Sequence, residues 1–292
     1  MLMKPFLLVN GIPTDTIAVD DRGLAFGDGV FETIRVQAGI MPLWQFHKDR
    51  LQHGLNRLGI DVPRDCLSDS LNQLQHYLTH SEPEARHGVT KLMVTRGSST
   101  SGYQYSADIK ANVVVRFTPG RVHPPGSEHL IRCETPMYEN PRLGGIKHLN
   151  RLENVLARQE AKAAGYRDGL LCDSNGHVIE TTNSNLFFID QHQRLVTPEL
   201  SDCGVAGVLR RLIIEELAPA LQLKVTVQTV AATDLAEFKA AFKCNALTGV
   251  VEIASIAAQG FVSGNPLIKT IKQAVDDYLV QAIGHPKEHF EF

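Results

Sequence analysis

Apolar and polar positions follow two different periods along this chain of 292 residues. In the first part, alternation at every second position predicts strands, the first in a hairpin that turns at Asn10 and Gly11, because Asn-Gly supplies the positive φ of such turns. Apolar residues three and four positions apart predict helices at 44–58 and 64–80. A glycine-punctuated loop is expected at 20–29. The further strands predicted in this part are 30–36, 89–96, 112–117 and 129–133.

The second part alternates strands and helices, a pattern typical of an α/β domain. The predicted helices are 149–164, 206–218, the short 233–239 and 266–283. The predicted strands are 168–173, 177–182, 185–189, 223–230, 241–246 and 250–257. The stretch 118–126 is the richest in proline and glycine and is expected to be a linker. The sequence therefore predicts an N-terminal α+β domain over residues 1–120 and a larger C-terminal α/β domain over residues 121–292.

Composition narrows the class of protein. A formal net charge of −3 gives no reason to expect nucleic acid or an anionic membrane as a partner. No apolar window reaches the length of a membrane span, and the first residues lack a signal-peptide pattern. The five cysteines form no Cys-x-x-Cys pair, which fits a reducing compartment. We expect a cytoplasmic enzyme with a small-molecule substrate.

Lys147 is a candidate for covalent chemistry. Gly144 and Gly145 precede it, and the predicted helix 149–164 follows it. A lysine at the edge of a packed element can be desolvated, which lowers its pKa and frees the amine for Schiff-base chemistry. The alternative is an ordinary surface lysine, although a cation is mildly unfavourable at a helix N-terminus. The residues of this segment expected to pack inward are Leu149, Leu152, Val155 and Leu156.

Two further features predict an anion site and a buried acid. Glu180 lies in an apolar, hydroxyl-rich predicted strand, where a carboxylate needs a cationic partner such as a protonated pyridine nitrogen; an exposed strand glutamate is the alternative. Small residues over 204–210 open a predicted helix, which favours phosphate binding. No Walker loop and no Gly-x-Gly-x-x-Gly after a strand is present. His76 and His80 have the spacing of metal ligands, but no third ligand is close, so no metal is predicted.

Three segments occur in order, 26–33, 147–151 and 178–187, and together they resemble the class IV pyridoxal-phosphate enzymes. This family includes branched-chain and D-amino-acid aminotransferases and 4-amino-4-deoxychorismate lyase. The resemblance covers nearly the whole chain, and segments 145–153 and 244–247 look most like the lyase. It implies the fold of fold-type IV enzymes, pyridoxal 5'-phosphate as cofactor, and a homodimer in which loops such as 98–106 reach the partner's site.

The resemblance also implies roles for individual residues. Lys147 would attach the cofactor aldehyde and move the substrate proton, and Glu180 would pair with the pyridine nitrogen. Arg50 matches an arginine that holds the cofactor phosphate, for which a guanidinium fork is well suited. The other residues implied to bind the phosphate are Gly207, Val208 and Leu209 through the helix start, and Asn245 and Ala246 with Leu247 in a small polar segment.

The substrate residues remain open. D-amino-acid aminotransferases place an arginine and a histidine after a Thr-Arg-Gly segment, where this chain has Ser101 and Tyr103. That difference speaks against the D-amino-acid enzymes, but Ser101 also departs from the arginine of many lyases. Arg96 is therefore a candidate for the substrate carboxylate, with Arg35 and Arg142 as alternatives. Candidate pocket walls, each of which could instead be core, are Phe31 and Tyr103.

The reaction that the resemblance implies converts 4-amino-4-deoxychorismate to 4-aminobenzoate and pyruvate, a step of folate biosynthesis. The alternative within the family is an aminotransferase acting on branched-chain or other amino acids. A non-catalytic dimeric binding protein on the same fold is a third hypothesis, because a fold does not determine a function.

Overall fold

The computed structural model of the protein describes residues 5–284, and within that part the chain forms two compact units. The first unit comprises the chain up to Val122, residues 146–150 and the chain from Leu279 onward. The second unit comprises His123–Gly145 and Arg151–Tyr278. The first break lies close to the predicted boundary at 120. The segment that carries Lys147 groups with the first unit, although it follows that boundary in the sequence.

The first unit contains an antiparallel five-stranded sheet in the order β2-β1-β5-β4-β3. Asn10 and Gly11 have φ of 52° and 75°, so the first hairpin turns where the sequence predicts it. The strands of this sheet are β1 (Phe6–Val9), β2 (Ile12–Pro13), β3 (Gly29–Val36), β4 (Gly88–Thr95) and β5 (Asn112–Pro119).

Helices α2 (Trp44–Leu58) and α3 (Arg64–His80) have the bounds that the periodicity predicts. Gly59, with a φ of 61°, ends α2, because glycine adopts this left-handed conformation without a steric penalty. Both helices pack against one face of the sheet. The buried residues that they contribute to this core include Leu51, Leu55, Leu67, Leu71, Leu74 and Leu78.

The predicted loop at 20–29 contains a short helix, α1 (Arg22–Phe26), so that prediction is wrong over these residues. The Asp21 carboxylate accepts hydrogen bonds from the backbone N–H groups of Gly23 and Leu24, which caps the helix. Gly27, with a φ of 66°, ends it. The helix between its N-cap and its C-terminal glycine is only about one turn long. A helix this short shows no periodic pattern of apolar residues in the sequence.

The second unit contains a mixed nine-stranded sheet in the order β11-β10-β9-β12-β13-β6-β7-β8, with β14 paired to β13. Three pairs are parallel, namely β10 with β11, β13 with β6 and β6 with β7. Its strands are β6 (Glu128–Arg132), β7 (Asp168–Cys172), β8 (Val178–Thr181), β9 (Asn185–Ile189), β10 (Leu195–Pro198), β11 (Val225–Gln228), β12 (Ala240–Asn245), β13 (Gly249–Ile256) and β14 (Gln259–Gly260). The short strands β10 and β14 were not predicted.

The helix predicted at 206–218 begins at Val208 and changes pitch, running as α5 (Val208–Leu212), a π-helical turn (Ile213–Leu217) and α6 (Ala218–Ala220). The segment predicted as a short helix at 233–239 forms a 3₁₀ helix over Ala232–Glu237. The last helix is α7 (Pro266–Gly284), which spans the predicted 266–283. No helix within residues 5–284 is both long enough and apolar enough to cross a membrane.

The helix after Lys147 exposes the apolar face that was expected to pack inward. This helix, α4 (Leu152–Ala163), buries Ala157 and Ala161, while Leu152 is 76% exposed. The expectation is therefore wrong for α4, because the small residues let the helix approach β7 closely. Leu149 precedes the helix and is half-buried. The other large apolar residues that α4 exposes are Val155 and Leu156.

Candidate active site

Strand pairing, not a helix N-terminus, places Lys147. The backbone N–H of Phe31 donates to the Lys147 carbonyl at 2.9 Å, and the Leu149 N–H donates to the Gly29 carbonyl at 2.9 Å. Segment 146–150 therefore lies along β3, the edge strand of the first sheet. The Lys147 Nζ atom lies 4.5 Å from the centroid of the Phe31 ring, a cation–π contact. Phe31, predicted as a pocket wall, thus lies next to the Lys147 amine.

Two glycines of the 26–33 motif make this close approach possible. A Cβ atom on Gly29 would lie 2.8 Å from Leu149 Cδ1, and a Cβ atom on Gly27 would collide with the Asn150 side chain, so both are closer than real contacts allow. Gly27 has a φ of 66°, and its carbonyl accepts a hydrogen bond from the Asn150 side-chain amide at 3.1 Å. The motif residues 27 and 29 are thus glycine for steric reasons that concern the lysine segment.

Arg50, predicted to bind phosphate, is held by a buried carboxylate. Its Nε and Nη2 atoms donate to the two oxygens of Glu32 at 2.8 Å and 2.5 Å, a bidentate pair. Glu32 is on β3 and Arg50 is on α2, so sheet and helix each contribute one partner. The pair engages two of the five N–H donors of the guanidinium and fixes its plane.

His47 is the third member of this cluster, and burial determines the protonation state of its ring. Its Nδ1 atom lies 2.6 Å from Glu32 Oε2, and because an ionised carboxylate only accepts, the proton resides on Nδ1. Burial lowers the pKa of His47, whereas the neighbouring Glu32 raises it. The effect of burial is larger, so the pKa lies below its ordinary value and the ring is neutral near pH 7. Burial tends to raise the pKa of Glu32, but Arg50 and His47 outweigh it and lower that pKa to about 2.

Glu180 lies on β8 in the second unit and is 4% exposed, which agrees with the expectation of a buried acid and not with an exposed strand glutamate. Its carboxylate accepts hydrogen bonds from the Val205 backbone N–H at 3.1 Å and from the side-chain amides of Asn154 and Asn185, each at 3.4 Å. These donors hold the buried carboxylate in a fixed orientation within the second unit.

The start of α5 is tied to Glu180 through Asn185. The Asn185 amide donates to the Val205 carbonyl at 2.8 Å, and a Cβ atom on Gly207 would lie 1.9 Å from Asn185 Oδ1. Gly207 is therefore glycine because the Asn185 side chain occupies the space of a larger residue. It precedes Val208 and Leu209, whose N–H groups lie in the first turn, where an anion is favoured.

Asn245, at the end of β12, shapes the turn that follows it. Its Oδ1 atom accepts hydrogen bonds from the Leu247 and Thr248 backbone N–H groups at 2.9 Å and 2.8 Å, and from the Thr248 hydroxyl at 3.0 Å. Its amide nitrogen donates to the Ser184 hydroxyl at 2.9 Å. The side chain of Asn245 thus folds the 245–248 turn, in which Ala246 is the second residue.

Arg96 is largely occupied by contacts within the first unit. It forms a double hydrogen bond with Asp28 and donates to the carbonyls of Leu58 and Gly59, each at 2.8 Å. Its guanidinium also lies 4.2 Å from the centroid of the Tyr105 ring. These contacts engage four of its five N–H donors, so little of this side chain remains for a substrate carboxylate.

Tyr103, the other predicted pocket wall, is 87% exposed, with its ring centroid 5.4 Å from that of Phe26. The carbonyls of Gly102, Tyr103 and Gln104 accept hydrogen bonds from Arg22, which ties the 98–106 loop to α1. Arg22 itself pairs with Asp28 at 2.9 Å. Tyr103 therefore faces solvent in the single chain.

Lys91, which the sequence analysis did not identify, lies beside Lys147. Its Nζ atom is 5.1 Å from the centroid of the Phe31 ring, the ring that Lys147 also contacts. Strand register explains this neighbourhood, because Thr33 pairs with Lys91, and Lys91 pairs with Arg116. Cross-strand pairs share a face, so Lys91, Arg116 and Arg35 lie on the face that carries Phe31. None of the strand residues described on that face of the sheet is acidic.

These groups fit pyridoxal phosphate, a planar aldehyde that carries a basic ring nitrogen and a phosphate. The first unit offers an amine on an aromatic ring at Lys147 and an oriented guanidinium at Arg50. The second unit offers a buried carboxylate at Glu180 and a tight turn at Gly207, where a Cβ would collide with Asn185. Within the part of the chain that the structure describes, no group of three or more metal-ligating side chains is assembled.

This chain is similar to known proteins in both sequence and structure. The family model described as amino-transferase class IV matches residues 29–256. Aminodeoxychorismate lyase of Vibrio harveyi is 32% identical over 255 residues, which cover 86% of this chain and 91% of the relative. D-alanine aminotransferase of Bacillus licheniformis is 28% identical over 90% of this chain and 92% of the relative. The crystal structure of 4-amino-4-deoxychorismate lyase from Pseudomonas aeruginosa superposes with a TM-score of 0.84 at 35% identity, covering 93% of this chain and 98% of that one.

Proposed function

The chain belongs to the amino-transferase class IV family, and from this premise we propose that it is a pyridoxal-phosphate-dependent 4-amino-4-deoxychorismate lyase. The observation that carries the proposal is the likeness to two lyases at 32% and 35% identity over most of their length. The reaction would convert 4-amino-4-deoxychorismate to 4-aminobenzoate and pyruvate. A second support is Ser101 with Tyr103, which differ from the arginine and histidine of D-amino-acid aminotransferases.

The cofactor, when bound, supplies an electron sink for the charge left on the amine-bearing carbon of the substrate. Lys147 would carry the cofactor, and after the substrate amine has replaced it there, its freed Nζ atom would accept the proton from that carbon. The Phe31 ring beside Nζ limits the positions that the amine can adopt. Glu180 would keep the pyridine nitrogen protonated, while Arg50 and the start of α5 would hold the phosphate. These roles come from the family resemblance and are supported by the surroundings of each residue.

Lys91 is our candidate partner for a substrate carboxylate, in place of Arg96. Its ammonium group shares the Phe31 ring with Lys147, and the face of the sheet around it carries Arg35 and Arg116. The proposed substrate carries two carboxylates, and a face with several cations and no acidic strand residue favours such an anion. Phe31 would then form the wall that separates the two lysines.

A pyruvate-release assay tests the proposed reaction. Purified protein given 4-amino-4-deoxychorismate should release pyruvate and 4-aminobenzoate, and Lys147→Ala should abolish both products. Lys272→Ala, at an exposed position of α7, controls for the loss of a lysine as such. If the wild-type protein released pyruvate no faster than the Lys147→Ala variant, the proposal would be wrong.

An aminotransferase is the second candidate, because D-alanine aminotransferase of Bacillus licheniformis matches nearly the whole chain. The two candidates share Lys147, Glu180 and the phosphate residues, so the substrate decides between them. Steady amino transfer from an amino acid to 2-oxoglutarate, with negligible release of pyruvate from 4-amino-4-deoxychorismate, would favour the aminotransferase.

We also propose a homodimer located in the cytoplasm. The dimer is supported by large apolar side chains that are exposed to water in the single chain. They include Val19 (89% exposed) and Tyr103 (87%) in the first unit and Leu152 (76%) in the second. Light scattering on the purified protein should give twice the mass of the 32.2 kDa chain. Five free cysteines support a reducing compartment, which cell fractionation would test.

A further inference from the structure

Three buried charges in the second unit have no role in the proposed chemistry. Lys243 Nζ lies 2.6 Å from Asp168 Oδ2 and 2.5 Å from Glu128 Oε2, and none of the three residues is more than 7% exposed. They come from β12, β7 and β6. Burial raises the pKa of Asp168, but the Lys243 ammonium outweighs burial, and the pKa stays below its ordinary value. Burying charges costs free energy, and apolar side chains of similar size would often stabilise the fold as well or better. These charges are therefore expected to fix the geometry of their surroundings.

The second oxygen of Asp168 holds a turn, residues 181–184, which joins β8 to β9. Asp168 Oδ1 accepts hydrogen bonds from the Thr182 hydroxyl at 2.5 Å and from the Thr182 N–H at 3.1 Å. On the other side of the turn, the Asn245 amide donates to the Ser184 hydroxyl at 2.9 Å. Lys243 and Asn245 lie two positions apart on β12, so one strand acts on both ends of the 181–184 turn.

The turn is coupled to Glu180 by a shared donor. The Asn154 side-chain amide donates to the Thr182 carbonyl at 3.3 Å and to Glu180 Oε1 at 3.4 Å. Thr182 follows Glu180 by two residues, so a displacement of the turn moves both acceptors of Asn154. A carboxylate that pairs with a ring nitrogen must be held within about 0.5 Å of its working position.

We propose that Lys243 and Asp168 are positioning residues that fix the 181–184 turn and thereby aim the Glu180 carboxylate at the pyridine nitrogen of the cofactor. This inference rests on the proposed function for the identity of the ligand. The chain of contacts runs from Lys243 through Asp168 to Thr182, and from Thr182 through Asn154 to Glu180. Lys243 and Asp168 do not themselves touch the cofactor.

Thr182→Val is the cleanest test, because it removes one hydroxyl, keeps the side-chain shape and leaves the Lys243–Asp168 pair intact. We expect backbone amides of the 181–184 turn to exchange hydrogen faster in the apoprotein. We also expect the Kd for pyridoxal phosphate to rise about tenfold, the lower end of the effect seen when residues that orient ligands are removed. Thr90→Val is the matched control. Thr90 is fully buried on β4, and its hydroxyl has no hydrogen-bond partner among the described residues.

A second variant separates positioning from stability. Combining Lys243→Met with Asp168→Leu and Glu128→Gln removes all three buried charges together with the acceptor of Thr182, and it leaves no buried charge unpaired, so the apoprotein should fold. We expect its Kd for pyridoxal phosphate to rise at least as much as that of Thr182→Val, at a temperature well below the unfolding midpoint of the apoprotein.

Two results would overturn the inference. One is a Kd for Thr182→Val within twofold of the wild type, and the other is unchanged hydrogen exchange in the 181–184 turn. If the wild-type protein itself bound no pyridoxal phosphate, the proposed function would fail instead. The exchange measurement on the apoprotein would then still decide whether Asp168 holds the turn.

Discussion

Replacing Glu32 with glutamine removes the anion that orients Arg50 and His47. Glu32 is 1% exposed, and its pKa is lowered from 4.5 to about 2. Each unit of pKa shift corresponds to about 1.4 kcal/mol, so the ionised carboxylate contributes about 3 kcal/mol to the stability of the fold. Glutamine keeps the size of the side chain but not its charge. We therefore expect Glu32→Gln to lower the free energy of unfolding by about 3 kcal/mol at pH 7.

The loss should depend on pH in a defined direction. The folded pKa of Glu32 is lower than the unfolded value, so its contribution is fully present above pH 4.5. It is lost as the pH falls toward 2, where the carboxyl becomes protonated in the folded protein as well. The difference between wild type and variant should be constant from pH 7 to about 5.5 and shrink to about 2 kcal/mol near pH 3.5.

Urea unfolding of the apoprotein, followed by tryptophan fluorescence, measures this difference. The chain has a single tryptophan, Trp44, which is the first residue of the helix that carries His47 and Arg50. Glu84→Gln is the control, because Glu84 is 78% exposed and its pair with Arg121 should contribute less than about 1 kcal/mol. A Glu32→Gln variant as stable as wild type, or a difference that stays constant down to pH 3.5, would refute the reasoning.

Three further predictions concern the ligand sites and the thiols. Lys91→Met should raise KM for 4-amino-4-deoxychorismate about tenfold with little change in kcat, because its ammonium would contact a carboxylate in ground and transition state alike. Gly207→Ala should weaken binding of pyridoxal phosphate, measured by titration of the apoprotein, since the added Cβ would lie 1.9 Å from Asn185 Oδ1. Burial raises the pKa of the Cys133, Cys203 and Cys244 thiols to about 12. When the native protein is treated with iodoacetamide at pH 8, mass spectrometry should therefore find Cys66 labelled before these three cysteines.

Matched variants make these outcomes decisive. Lys272→Met removes an exposed lysine on α7 and should leave KM unchanged; an equal effect of both lysine variants would rule out a contact at Lys91. Gly260→Ala adds a Cβ that meets nothing within 4 Å and should leave cofactor binding unchanged. If Gly207→Ala also bound the cofactor normally, the start of α5 would not hold the phosphate. Early labelling of Cys244 would contradict the burial of its thiol.

The spacing of apolar residues predicted where helices occur, but not which face of each helix is buried. The bounds of α2 and α3 agree with the prediction because both helices bury a continuous leucine face and lie between residues that interrupt helices, such as Gly59. The apolar face of α4 was visible in the same way, but a period shows only that one face is apolar. Which face lies against the sheet depends on how closely the helix approaches it, and here Ala157 permits that approach.

Candidate site residues can be proposed from the sequence where a motif carries them, but not where only strand register brings them together. Lys147 and Glu180 came from segments that resemble the family. Lys91 lies near Lys147 only because β4 pairs with β3 in one register, which no local pattern reveals. Glu32 did leave a signal, since alternation along β3 puts a carboxylate on the buried face between Val30 and Ile34. A charge at such a position requires buried partners, and these are Arg50 and His47.

Each unit thus uses a buried carboxylate to set the position of a group that would contact the cofactor. In the first unit Glu32 fixes the plane of the Arg50 guanidinium, and in the second Asp168 fixes the turn after Glu180. Ordering a long side chain or a turn costs free energy, and here folding supplies that ordering before any ligand arrives. Affinity for the cofactor then depends on how rigid each group already is. Loosening either carboxylate should therefore weaken binding even though neither touches the ligand, and it should do so independently in the two units.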